Sequence, residues 1–167
     1  KQAAHDIVNY QETGMGLIEL SHRSKEFMTI AESAESRLRS LMAIPDNYNV
    51  LFLQGGASSQ FYMVPMNLLG KNKHAVYLNT GTWAKKSIKE AHSFGNITVA
   101  YSSEDTVFNR VPEQSEYDIT DDAEYLYLVS NNTIYGTQFK SFPDVDTMLV
   151  SDMSSDIVSR SIDVSRF

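Results

Sequence analysis

Apolar residues recur at helical spacing over residues 24–43, where Phe27, Ile30, Ala31, Ala34, Leu38 and Leu41 share one face and Ser24 stands as the cap. The pattern then changes. Asn49-Val50-Leu51-Phe52-Leu53-Gln54 is a short, nearly continuous apolar run, which predicts a strand buried on both faces. A glycine turn follows, then a helical stretch from about Ser58 to Leu69. Ala75 to Leu78 predicts the next strand and Thr82 to His92 the helix after it. Ile97 to Ala100, Tyr125 to Val129 and Met148 to Val150 predict further strands. Strands alternating with helices predict an α/β fold, a mainly parallel sheet with helices on both faces. Residues 101–124 are polar and acidic, with Pro112, and read as a surface excursion rather than a domain linker.

Ligands of parallel sheets sit at the carboxyl ends of the strands. Gly55 to Ser58, Gly81 to Trp83, Ser130 to Thr133 and Asp152 all fall just after predicted strands, so they are the candidate site. Gly55-Gly56-Ala57-Ser58 leads into a helix, whose first N–H groups and dipole attract an anion such as a phosphate. By itself the stretch is equally a tight turn with no ligand. Trp83, the only tryptophan, offers an indole face for a planar ring or anchors the core. Thr133 supplies a hydroxyl donor or ordinary turn chemistry. Asp152 puts a carboxylate at the end of a buried strand, where it needs a cationic or donor partner. A protonated ring nitrogen would serve, as would Arg160 or a loop cap. His22-Arg23 places two potential cations just before a helix, suited to a carboxylate or phosphate, or to loop carbonyls at the surface.

Composition narrows the field. The 167 residues are 42% hydrophobic and 21% charged, enough for one domain with a real core. A net charge of −7 leaves no basic stripe for nucleic acid. There are no cysteines, and the four histidines lack the spacing of a helical zinc site, so no metal centre is expected. No apolar run approaches the roughly 20 residues of a membrane span. The first residues are not a secretory signal, which with the absence of cysteine favours the cytoplasm. Both ends of the chain read as internal.

Taken together, six stretches resemble the phosphoserine aminotransferases, pyridoxal phosphate (PLP)-dependent enzymes of fold type I, class V. They are Glu19-Leu20-Ser21-His22-Arg23-Ser24-Lys25-Glu26-Phe27, Leu51-Phe52-Leu53-Gln54-Gly55-Gly56-Ala57-Ser58, Val64-Pro65-Met66-Asn67-Leu68-Leu69, Asn79-Thr80-Gly81-Thr82-Trp83, Asn131-Asn132-Thr133-Ile134-Tyr135-Gly136-Thr137 and Ser151-Asp152-Met153-Ser154-Ser155-Asp156. The resemblance implies amino-group transfer between glutamate and 3-phosphohydroxypyruvate, giving 2-oxoglutarate and O-phosphoserine in serine biosynthesis. It makes Ala57 and Ser58 the backbone cradle of the cofactor phosphate, Trp83 the ring-stacking residue, Thr133 a donor to the cofactor and Asp152 the partner of the pyridinium nitrogen. Arg23, with His22 beside it, resembles the anchor for the substrate's acidic groups in a site shared by two subunits, so a homodimer is implied.

Some members of that family carry arginine where this chain has Ser58, and the family's Ser-Arg-Pro-Ile-Asp reads Ser159-Arg160-Ser161-Ile162-Asp163 here. No lysine of this chain takes the place of the family's Schiff-base lysine. The expectation is therefore that residues 1–167 are part of the PLP-binding large domain, without its C-terminal remainder and the small domain, and inactive alone. The alternatives are another class V enzyme, of alanine–glyoxylate aminotransferase or cysteine desulfurase type, or a non-catalytic remnant of the fold acting as a binding module.

Overall fold

An apolar run too short for a helix is buried best between two other strands, where both its edges find hydrogen bonds and both its faces find cover. Two such runs form the middle of the sheet in the computed structural model, which describes residues 1–167. The chain divides into two units, residues 1–50 and 51–167. The first holds α1 (Gln2–Val8) and α2 (Lys25–Met42). The second runs α3 (Gly56–Leu68), β1 (His74–Asn79), α4 (Thr82–Ala91), β2 (Asn96–Ser102), β3 (Tyr125–Val129), β4 (Asn131–Asn132), β5 (Thr137–Gln138) and β6 (Met148–Asp152).

The main sheet has the order β2-β1-β3-β6 with every neighbouring pair parallel, as expected. β4 and β5 form a separate antiparallel pair. Every residue of β1 and β3 is buried. On one face Tyr77, Tyr125 and Tyr127 pack against Ala84, Ile88 and Ala91 of α4, with Val64 and Leu68 of α3 at the margin. The Tyr77 and Tyr127 rings stack at 4.7 Å, and the Tyr77 and Tyr125 hydroxyls share a 2.8 Å hydrogen bond. On the other face Val76, Leu78, Leu126, Leu128 and Leu149 meet Tyr117 and Phe139. The helices of this unit thus lie against one face, and irregular chain covers the other.

Within residues 1–50, Ser24 caps α2 as predicted, its hydroxyl oxygen accepting from the Phe27 N–H at 3.2 Å. The predicted apolar face is only partly covered: Ile30, Ala31 and Leu38 are half-buried, whereas Phe27, Ala34 and Leu41 are exposed. Arg39 fastens the chain after α2, bonding Glu35 at 2.8 Å and the Tyr48 carbonyl at 2.8 Å.

The parallel sheet is as expected, but within residues 51–167 helices cover one face rather than both, and two further expectations change. Residues 49–54 do not form a strand. Leu51, Phe52 and Leu53 are 71%, 65% and 56% exposed. A doubly buried strand needs a sheet edge to join, and neither β2 nor β6 takes this segment. Residues 101–124 are more than a surface excursion, because Phe108, Pro112 and Tyr117 are buried. The segment is tied by a two-pronged pair between Arg110 and Glu116 at 2.6 and 2.7 Å. That pair draws the Glu116 carboxyl down to about 2, the Arg110 hydrogen bonds contributing most.

Leu126 is fully buried between the two covered faces of the sheet. Leu126→Ala should lower unfolding stability by about 2–5 kcal/mol through lost burial and a residual cavity, read as a reduced urea midpoint at unchanged slope.

Candidate functional site

In a parallel sheet the crevice for ligands opens where the strand order reverses. The chain runs from β1 outward to β2 and returns to the other side of β1 as β3, so the reversal falls between β1 and β3. Gly81-Thr82-Trp83 leaves the end of β1, Ser130 to Thr133 leaves the end of β3, and β6 ends beside them at Asp152.

The start of α3 completes this end. Gly55 and Gly56 take the left-handed backbone at φ +96° and +60°, which side chains disfavour. A Cβ on Gly55 would also fall 2.2 Å from Ser59 Oγ. The turn therefore requires glycine, and it leaves α3 with no side-chain cap. The leading N–H groups of α3 carry the positive end of its dipole.

These segments enclose a cavity of about 320 Å³. Ala57, Ser58, Trp83, Thr133 and Asp152 all line it, so one cavity gathers five of the residues singled out by sequence. Ala57 and Trp83 are half-buried, and Ser58 and Thr133 are exposed. Lys86 Nζ lies 4.6 Å from the Trp83 ring centroid. His22 and Arg23 belong to residues 1–50, where both are exposed in the turn ahead of α2. There the Arg23 N–H donates to Ser21 Oγ at 3.2 Å.

Asp152 is half-buried and pairs with no cation. Its Oδ1 accepts from the Ser154 N–H at 2.9 Å and the Ser154 hydroxyl at 2.6 Å, so the loop-cap reading holds for that oxygen. Arg160 goes instead to Asp156, Nη2 to Oδ2 at 3.5 Å. Asp156, the more deeply buried acid, also accepts from the Ser130 hydroxyl and from Gln138 Nε2 at 3.1 Å. The anion at Asp152 adds to burial in pushing the Tyr127 phenol up.

Phe61, Val129, Asn131, Ser154 and Ser155 line the same cavity, although sequence reasoning gave none of them an individual role. The repeated serines after Asp152 were the available signal, since short hydroxyl side chains there hold the loop: Asn131 Nδ2 donates to Ser155 Oγ at 3.0 Å. Asn132, inside the Ser130–Thr133 candidate stretch, was likewise given no role of its own. It is buried, with Nδ2 donating to Thr137 at 3.0 Å and Oδ1 lacking a protein partner.

The aminotransferase class-V family model matches residues 2–167. The chain belongs to this family. A phosphoserine aminotransferase of Desulfotalea psychrophila is 65% identical over 100% of this chain and 46% of its own length. That of Nitrosomonas europaea is 50% identical over 100% of this chain and 48% of its own. Among solved structures, the phosphoserine aminotransferase from Bacillus circulans subsp. alkalophilus superposes with a TM-score of 0.94 at 46% identity, covering 99% of this chain and 46% of that one. A PLP-bound phosphoserine aminotransferase from Trichomonas vaginalis gives 0.89 at 40% identity, covering 98% and 46%. The chain spans about half the length of the curated relatives it matches. No helix is long and apolar enough to cross a membrane.

A Cβ on Gly81 would fall 2.6 Å from Asn132 Oδ1, and Asn132 is held in place by Thr137. Gly81→Ala should therefore cost about 1–3 kcal/mol by overpacking, measured by thermal or urea unfolding.

Proposed function

We propose that the chain supplies the cofactor-binding half of a PLP-dependent phosphoserine aminotransferase, which exchanges an amino group between glutamate and 3-phosphohydroxypyruvate. The observation that carries this reading is the cavity at the strand reversal, with an uncapped helix start, an indole and a carboxylate without a cation in its walls. Its volume of about 320 Å³ lies in the range of small-molecule sites. The donor set fits PLP. Backbone N–H groups of Gly56, Ala57 and Ser58 would hold the phosphate, the Trp83 ring would pack on the pyridine, and the Thr133 hydroxyl would donate to a ring oxygen. Asp152 would hold a proton on the ring nitrogen. When bound, the cationic ring supplies an electron sink for the substrate carbon.

The chain's own residues then bind and orient. Ser154, by donating twice to Oδ1, fixes the direction of the Asp152 carboxylate. Arg23, with His22, would take the acidic groups of glutamate or phosphoserine, in a site completed by the second subunit of a homodimer. The cavity's lining contains no lysine, so no residue of the chain is assigned the covalent or proton-moving role. Residues 1–167 on this reading are part of the large domain, unable to turn over alone, and the whole enzyme is cytoplasmic.

Because Trp83 is the only tryptophan, its fluorescence reports on the cavity directly. Added PLP should quench it, and Asp152→Asn should weaken that quenching. An unquenched indole at saturating PLP would count against the cofactor assignment. For the complete enzyme, O-phosphoserine should exceed alanine as amino donor by about a hundredfold or more in kcat/KM. A preference for alanine would replace this substrate class with that of another class V enzyme.

A further inference from the structure

The opposite end of the sheet holds a second set of reactive groups. His74 opens β1 and is buried, yet it keeps both ring nitrogens engaged. Its Nδ1 lies 3.0 Å from Asp122 Oδ1 and 3.4 Å from Thr120 Oγ1, and its Nε2 lies 2.9 Å from Thr98 Oγ1. An ionised carboxylate only accepts, so Nδ1 carries the ring proton toward Asp122. In the neutral imidazole Nε2 is then the acceptor, and the Thr98 hydroxyl donates to it. Hydroxyl, imidazole and carboxylate stand in series, each within hydrogen-bond reach of the next.

The surroundings suit that series. The Asp122 carboxyl is held below its ordinary range, first by the Thr120 hydroxyl and then by His74, and so stays charged. Thr98 is exposed, and with His74 and Asp122 it borders an open hollow of about 580 Å³. It sits on β2, an edge strand. The Asn96 N–H turns inward to the Lys73 carbonyl at 2.7 Å. Strand alternation therefore turns the N–H groups of Ile97 and Val99, on either side of Thr98, toward the open edge. N–H groups turned toward an open edge are the kind of donor that a polarised carbonyl oxygen needs.

We propose that Thr98, His74 and Asp122 form an acyl-transfer site that takes short acyl groups from activated esters onto the Thr98 hydroxyl. Thr98 Oγ forms the bond to the acyl carbon while His74 Nε2 takes the hydroxyl proton. The ester C–O bond breaks, and the leaving alcohol recovers that proton from His74. Water then attacks the acyl-threonine by the same proton path, releasing the carboxylic acid and restoring Thr98. Asp122 keeps the imidazole in the required tautomer and stabilises its cation.

The test is p-nitrophenyl acetate added to the purified protein at neutral pH, with residue-resolved mass spectrometry and p-nitrophenolate release followed together. Acetyl is expected on Thr98 in the parent protein, absent in Thr98→Val and His74→Gln, and reduced at least about tenfold in Asp122→Asn. Thr98 left unmodified while surface lysines are acetylated overturns the proposal. So does equal labelling of Thr98 in His74→Gln. Asp122 and Thr98 are exposed, so Asp122→Asn and Thr98→Val leave the fold intact. Should His74→Gln fail to fold, equal labelling in Asp122→Asn is the overturning result.

Discussion

β1 contains no exposed residue, and a strand in that position must be paired along both edges and covered on both faces. β2 satisfies one edge and β3 the other, so the chain has to leave β1 in one direction and come back on the other side. The reversal in strand order follows from that double pairing, and the crevice at the carboxyl ends follows from the reversal. The same strand aligns the amino end, where Val76 lies opposite Thr98 and brings His74 within reach of its hydroxyl. Both chemically equipped ends of the sheet thus depend on one buried strand.

The cavity is electrically divided. A helix start with no cap contributes positive potential at one wall, and Asp152 without a cation contributes negative charge at another. A ligand carrying an anionic group and a cationic ring nitrogen answers both. Asp156 shows the contrast: it lies four residues further on and already has Ser130, Gln138 and Arg160 as partners.

Much of this was legible in the residue pattern. Tyr125 to Val129 is a strand with the ends read from sequence, and residues 75–78 and 148–150 lie within observed strands, because short apolar runs flanked by polar turns have few other places to go. Residues 49–54 read the same way and are not a strand, since an apolar run signals a need for cover but not the presence of a partner strand. Gly55, Trp83, Thr133 and Asp152 were each ambiguous in isolation, and the topology is what collects them. The Thr98–His74–Asp122 series left no trace in the spacing, because strand register and a distant loop bring it together.

The three stacked and hydrogen-bonded tyrosines carry a consequence for alkaline solution. Burial raises the phenol pKa of Tyr77, Tyr125 and Tyr127 above the ordinary value near 10. Below that value their contribution to stability is complete. Above it the unfolded chain gains phenolates that the folded sheet refuses, so the folded state loses ground with every further rise in pH. The share of phenolate absorbance that belongs to these three of the nine tyrosines should then rise together with base unfolding, because the core must open before they can surrender their protons.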